Sequence, residues 1–171
     1  MNDHSNIMAK ASSKTNFLKS AKKYYTVTYT DEHSSGGSSY NDLLITCAQG
    51  VVGCGSKRFG KAEMGDVVLV QASYGRGKAQ RKVFCIGILG DELPECHEWF
   101  SKGGEIWPYN YKFVPITPII TRDETFMSEI ALACEKTGVK PTCIFNSRFA
   151  SEKSLRPLLM YMFANDKITT L

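Results

Sequence analysis

The sequence predicts an α+β domain around a curved, mostly antiparallel sheet. Three observations carry this expectation: strand signals crowd the first two thirds of the chain, two apolar runs flank a Gly/Arg/Lys-rich stretch as the arms of a hairpin would, and the clearest helix grammar follows them. The chain has 171 residues, 43% hydrophobic and 22% charged, enough for one buried core. Residues 1–20, rich in Ser, Lys and Asn without periodicity, read as a flexible N-terminal arm, and 21–171 as a single domain. No apolar run approaches the ~18 residues of a membrane span, and the N-terminus lacks the continuous apolar stretch of a secretory signal. The expected setting is intracellular, cytoplasmic or nuclear, with no membrane partner.

Taken in order, "YYTVTYT" (24–30) alternates and is rich in aromatic and β-branched residues, as a strand requires. "DEHSSGGSSYND" reads as a polar loop with a short helix near Tyr40, and "LLITC" as a second strand. "MGDVVLVQA" and "KVFCIGILG" are short apolar runs of the buried-strand type, joined by the basic tip "SYGRGKAQR". In "YNYKFVPITPII", Pro115 and Pro118 call for an edge position or a bulge. "TRDETFMSEIALACEKTG" predicts a helix with a capping box at Thr121 and Glu124. Its stripe is Phe126, Ile130 and Cys134 with Met127 and Ala131, and its stop is Gly138. "PTCIF" reads as a short strand, and "LRPLLMYMFA" as a final helix packing Leu155, Leu158, Leu159 and Met162.

The net charge is only +4, but its placement is uneven. Between Ser56 and Lys82 stand Lys57, Arg58, Lys61, Arg76, Lys78, Arg81 and Lys82 against Glu63 and Asp66, whereas five acids face Lys102 between Asp91 and Glu105. A basic face of this kind suits a polyanion. "QGVVGCGSKRFG" comes within one transposition of a nucleotide-binding P-loop, but Ser56 precedes Lys57, which misplaces both the cation and the metal-ligating hydroxyl, and no apolar helix follows. "YGRGK" (74–78) has no following helix either; Gly75 and Gly77 instead allow a turn that projects Arg76, Lys78, Arg81 and Lys82. Both tryptophans lie in "ECHEWFSKGGEIWPYNY". Trp99 among acids and glycines is available to a ligand, and Trp107 before Pro108 suits a buried anchor. Such aromatics stack on unpaired bases.

The six cysteines contain no CxxC pair, and Cys96 beside His97 has no second Cys/His pair to complete a zinc site. Reduced, mostly buried thiols are expected, with no metal and no cofactor. No GxSxG nucleophile elbow occurs, and nothing in the sequence identifies an enzyme.

The series "YYTVTYT", "CGSKRF", "MGDVVLVQAS", "KVFCIGILGDE", a Trp-bearing excursion and "YKFVPITPI" resembles the PUA-like superfold, specifically a divergent member of its EVE and YTH branch or a degenerate one that keeps the fold without the pocket. Gly65, Asp66, Ser73, Phe84 and Gly87 occupy the places of that branch's turn and strand residues, and "FNSRF" (145–149) is similar to a stretch near the end of YTH domains. The resemblance covers about Tyr24 to Phe149, and no tryptophan stands near "ITCAQG", where a YTH domain carries its first pocket tryptophan. It implies a PUA-like curved β-barrel with flanking helices, and a nucleic-acid-binding domain that reads a modified or flipped base through an aromatic pocket beside basic loops. With the basic loops and the aromatics, the candidate nucleic-acid-binding residues are Lys57, Arg58, Ser73, Tyr74, Arg76, Lys78, Arg81, Lys82, Trp99 and Trp107, and the partner would be RNA or DNA. Two alternatives stay open on the same fold: a protein-interaction or host-modulating module docking through the acidic segment 91–107, and a small hydrolase of the ASCH kind.

Overall fold

The computed structural model describes residues 15–34, 37–75, 81–94, 107–140 and 152–171. The chain runs through a helical stretch at 15–20 (α1), β1 (Tyr24–Thr28), α2 (Ser39–Gln49), β2 (Val51–Cys54), β3 (Val67–Tyr74), β4 (Arg81–Leu93), β5 (Tyr109–Pro115), β6 (Ile120–Thr121), α3 (Glu124–Thr137) and α4 (Glu152–Ala164). Short 3-10 turns occupy Asp31–His33 and Phe59–Lys61. The fold is thus mixed α+β.

One sheet holds the strands in the order β1–β3–β4–β5–β2, with β6 paired to β4. β1 lies parallel to β3, from Tyr24↔Val67 to Thr28↔Gln71, and every other pairing is antiparallel. β1 and β2 end this path without pairing to each other, so among the described residues the sheet does not close into a hydrogen-bonded barrel. β4 is 13 residues long, pairing with β3 over its first part and with β5 over its last. A register shift between Leu89 and Glu92 marks a bulge in its pairing with β5.

Alternation along the strands divides the core in two. Tyr24, Val67, Leu69, Phe84 and Ile86 face α1, α3 and α4, and meet Leu18, Ile130, Leu155, Leu158, Leu159 and Met162. Tyr25, Val27, Tyr29, Val68, Val70, Val83, Cys85, Tyr111 and Phe113 pack on the other side with Leu43 of α2. Burial on both faces explains why β3 and β4 read as unbroken apolar runs. Asp66, itself buried, ties the start of the sheet together: its carboxylate accepts the N–H groups of Lys23 (3.0 Å) and Glu63 (2.8 Å). Gly65 before it takes φ +90°, a left-handed turn that favours glycine.

Several expectations are corrected. "LLITC" lies inside α2, which Ser38 caps by accepting from the Asn41 N–H and Gly50 ends in a left-handed conformation. Cap and stop outweigh the β-branched content between them. α3 is capped by Asp123, which accepts from the Phe126 N–H at 2.8 Å, and not by Thr121. Its buried stripe is Phe126, Ile130, Ala133 and Cys134, while Met127 and Ala131 are exposed. β5 is an interior strand and not an edge, because Pro115 stands at its last position, where the missing N–H breaks nothing; the other expectation for this stretch, a bulge, is met by the register shift in its pairing with β4. The end of the stretch read as an arm is helical, and Leu18 there is fully buried. α4 matches its expectation, with Leu155, Leu158, Leu159 and Met162 all buried. "PTCIF", "FNSRF" and the Cys96–His97 pair lie outside the described residues.

Candidate functional site

On the face of the sheet that carries α1, α3 and α4, the side chains change character toward the C-terminal ends of β1 and β3. Val67 and Leu69 give way to Gln71 and Ser73, and on the neighbouring strands Tyr24 gives way to Thr28, and Ile86 and Phe84 to Lys82. A cleft of about 360 Å³ opens there, walled by residues 28–32, by Gln71–Ser73 and by Lys82. That volume lies at the small end of the ~300–1,000 Å³ range of small-molecule sites.

A buried hydroxyl holds the cleft's wall in place. Ser39, at the start of α2, is fully buried; its Oγ donates to Asp31 Oδ1 at 2.6 Å and accepts the Ser73 N–H at 3.1 Å. The Ser39 N–H reaches the same Asp31 oxygen at 2.8 Å. The loop after β1, the start of α2 and the end of β3 therefore meet at one side chain. Gln71, 4% exposed, donates from Nε2 to Thr28 Oγ1 at 2.7 Å, whereas its Oε1 has no hydrogen-bond partner. Gln71 was not singled out from the sequence; its signal is a lone amide in the apolar run "VVLVQAS".

On the opposite side of the same strand end, Tyr74 is 54% exposed and makes an edge contact with Tyr40 of α2, ring centroids 4.7 Å apart. The hairpin root thus presents a polar cleft on one face and an aromatic pair on the other. Beneath it, Tyr29 is buried and hydrogen-bonded to Thr46 Oγ1 at 2.8 Å, and burial drives its phenol pKa far up. Tyr29 stays a neutral hydroxyl.

Of the residues nominated from sequence, Ser73, Tyr74 and Lys82 come together at this root, and Arg81 lies beside Lys82 on β4. Lys57 and Arg58 do not join them. They are exposed on the loop that precedes β3, next to Phe59, which packs on Tyr25 and Tyr111, so they sit at the other end of that strand. About five residues of extended chain, ~17 Å, separate the two levels. Trp107 is half-buried and stacks on Tyr29, with ring centroids 5.5 Å apart and planes at 23°. Arg76, Lys78 and Trp99 lie outside the described residues.

The P-loop-like stretch runs from the end of a helix into a strand: Gly50 is the left-handed C-cap of α2, and Val51–Cys54 is β2. A P-loop runs from strand to helix, so the N–H groups that would cradle a phosphate at a helix start have no counterpart here. Among the described residues no group of three or more His, Cys, Asp or Glu is placed to hold a metal, and no helix is long and apolar enough to cross a membrane. No protein-family model, curated protein or solved structure matches this chain.

Proposed function

We propose that the chain is a divergent PUA-like domain that binds single-stranded nucleic acid at the root of the β3–β4 hairpin, taking an unpaired base into the cleft. The observation that carries this reading is the convergence of Ser73 and Lys82 on one cleft, with exposed Tyr74 on the opposite face of the same strand end. In mechanism, a strand crossing the root places one base in the cleft and stacks its neighbour on Tyr74, while Lys82 neutralises a phosphate; Arg76, Lys78 and Arg81 are the further candidates that the sequence offers for phosphate contacts. Phosphate contacts set register, and the cleft supplies selectivity. The PUA-like part of the proposal is supported by one mostly antiparallel sheet in the order β1–β3–β4–β5–β2 with apolar clusters on both faces, α1, α3 and α4 covering one face and α2 packing on the other. The protein acts here as a binder and not as an enzyme.

The test is fluorescence anisotropy with labelled single-stranded RNA and DNA across a salt series. Affinity is expected to fall with a log–log slope of roughly −0.7 per phosphate contact, and Lys82→Glu to weaken all sequences. Salt-independent binding, or no binding to either polymer, overturns the proposal and favours a protein partner.

A further inference from the structure

We infer that the cleft at the C-terminal ends of β1 and β3 selects an unpaired guanine by its Watson–Crick edge, the side-chain carbonyl of Gln71 accepting one of the base's N–H groups; this rests on the nucleic-acid reading above. Gln71 lines the cleft, is 4% exposed, and has its Nε2 engaged by Thr28 at 2.7 Å while its Oε1 meets no donor. A buried amide carbonyl in that state carries a desolvation penalty, and a small shift of the Gln71 side chain toward the cleft it lines presents the oxygen to an incoming N–H that relieves it. The rest of the lining sharpens the choice. Asp31 and Glu32 are exposed carboxylates at the lip, and Lys82 adds one cation. Asp31 Oδ1 already receives two hydrogen bonds from Ser39, which leaves Glu32 the freer acceptor of the pair.

A wall of acceptors with a single cation suits an edge that offers adjacent donors beside one carbonyl. Guanine alone among the bases has that edge: its ring N1–H and exocyclic amino group stand side by side, next to O6. Uracil and thymine place a single N–H between two carbonyls, and cytosine and adenine each set one amino group beside a ring acceptor. Glu32 and Gln71 then receive the two donors, and the Lys82 ammonium, with three N–H donors, meets the carbonyl as well as the adjoining phosphate. The cleft's volume of about 360 Å³ admits one base.

The experiment titrates the full chain with labelled U-rich single-stranded RNAs that are identical except for one central G, A, C or U. The guanine oligonucleotide is expected to bind roughly tenfold tighter than the other three. Gln71→Leu and Glu32→Gln are each expected to bring it down toward their level. Glu32 is exposed, so its substitution tests the inference even if Gln71→Leu does not fold. Equal, salt-dependent binding of all four oligonucleotides overturns the guanine inference and leaves the nucleic-acid reading standing; no binding to any overturns both. A guanine preference that survives in folded Gln71→Leu and in Glu32→Gln overturns the inference as well.

Discussion

Ser39→Ala removes one oxygen from the wall of the cleft. That oxygen donates to the Asp31 carboxylate at 2.6 Å and accepts the Ser73 N–H at 3.1 Å, in a residue with no exposed surface. A hydrogen bond to a charged group contributes ~1.5–3 kcal/mol, and a buried donor left unmade costs ~1–3 kcal/mol. Ser73 borders the cleft, where water reaches part of the vacated site, and the Ser39 N–H bond to Asp31 survives. The expected net loss is therefore about 3 kcal/mol, or roughly 6–12 °C in Tm for a domain of this size. Urea unfolding with an unchanged m-value reads it directly. Ser38→Ala is the internal comparison. Its cap bond to Asn41 is long, 3.4 Å, and exposed, so about 0.5 kcal/mol is expected. A Ser39→Ala loss below about 1 kcal/mol, within the range of an ordinary surface change, refutes the claim that this hydroxyl joins β1, α2 and β3.

Three further outcomes follow from packing and ionisation. Trp107→Ala should cost about 2–3 kcal/mol, less than a fully buried aromatic truncation, because the ring is half-buried on Tyr29; Trp107→Phe should recover most of it in a thermal melt. Gly87→Ala should cost about 3 kcal/mol in denaturant unfolding, since a Cβ there would run into the Phe113 ring and stand 2.6 Å from the Val114 carbonyl oxygen; unchanged stability would mean that β4 and β5 approach less closely than described. A hydrogen bond from Cys85 lowers the Cys47 thiol pKa, whereas burial raises those of Cys54 and Cys134. The thiolate is the reactive form, so mass-spectrometric mapping of iodoacetamide labelling should find Cys47 modified first of these three, with a rate midpoint below the usual thiol value. Preferential labelling of Cys54 or Cys134 would contradict that order.

The parts of the fold legible in the sequence are those where one physical signal acts alone. β3 and β4 are apolar because both faces are covered, and α4 shows its buried Leu155, Leu158, Leu159 and Met162 at helical spacing. α2 was obscured because "LLITC" holds strand-forming residues while the determining signals, Ser38 and Gly50, lie at its ends. The site divides the same way. Ser73, Tyr74 and Lys82 could be nominated from the basic hairpin, since a turn brings its arms together. Lys57 and Arg58 belong to the same basic stretch of sequence, but the strand between them and the hairpin carries the two loops to opposite ends of β3. Gln71 was hidden inside an apolar run, where register alone decides whether an amide meets the core or a cleft.

The central claim, that nucleic acid binds at the hairpin root, is tested most directly by amide chemical-shift mapping of the isotope-labelled chain titrated with a short single-stranded RNA. Saturable shifts are predicted at Thr28–Glu32, Gln71–Tyr74 and Lys82, the residues that wall the cleft and carry the exposed tyrosine. Shifts confined to Lys57–Lys61 at the other end of β3, or none at all, would contradict the account.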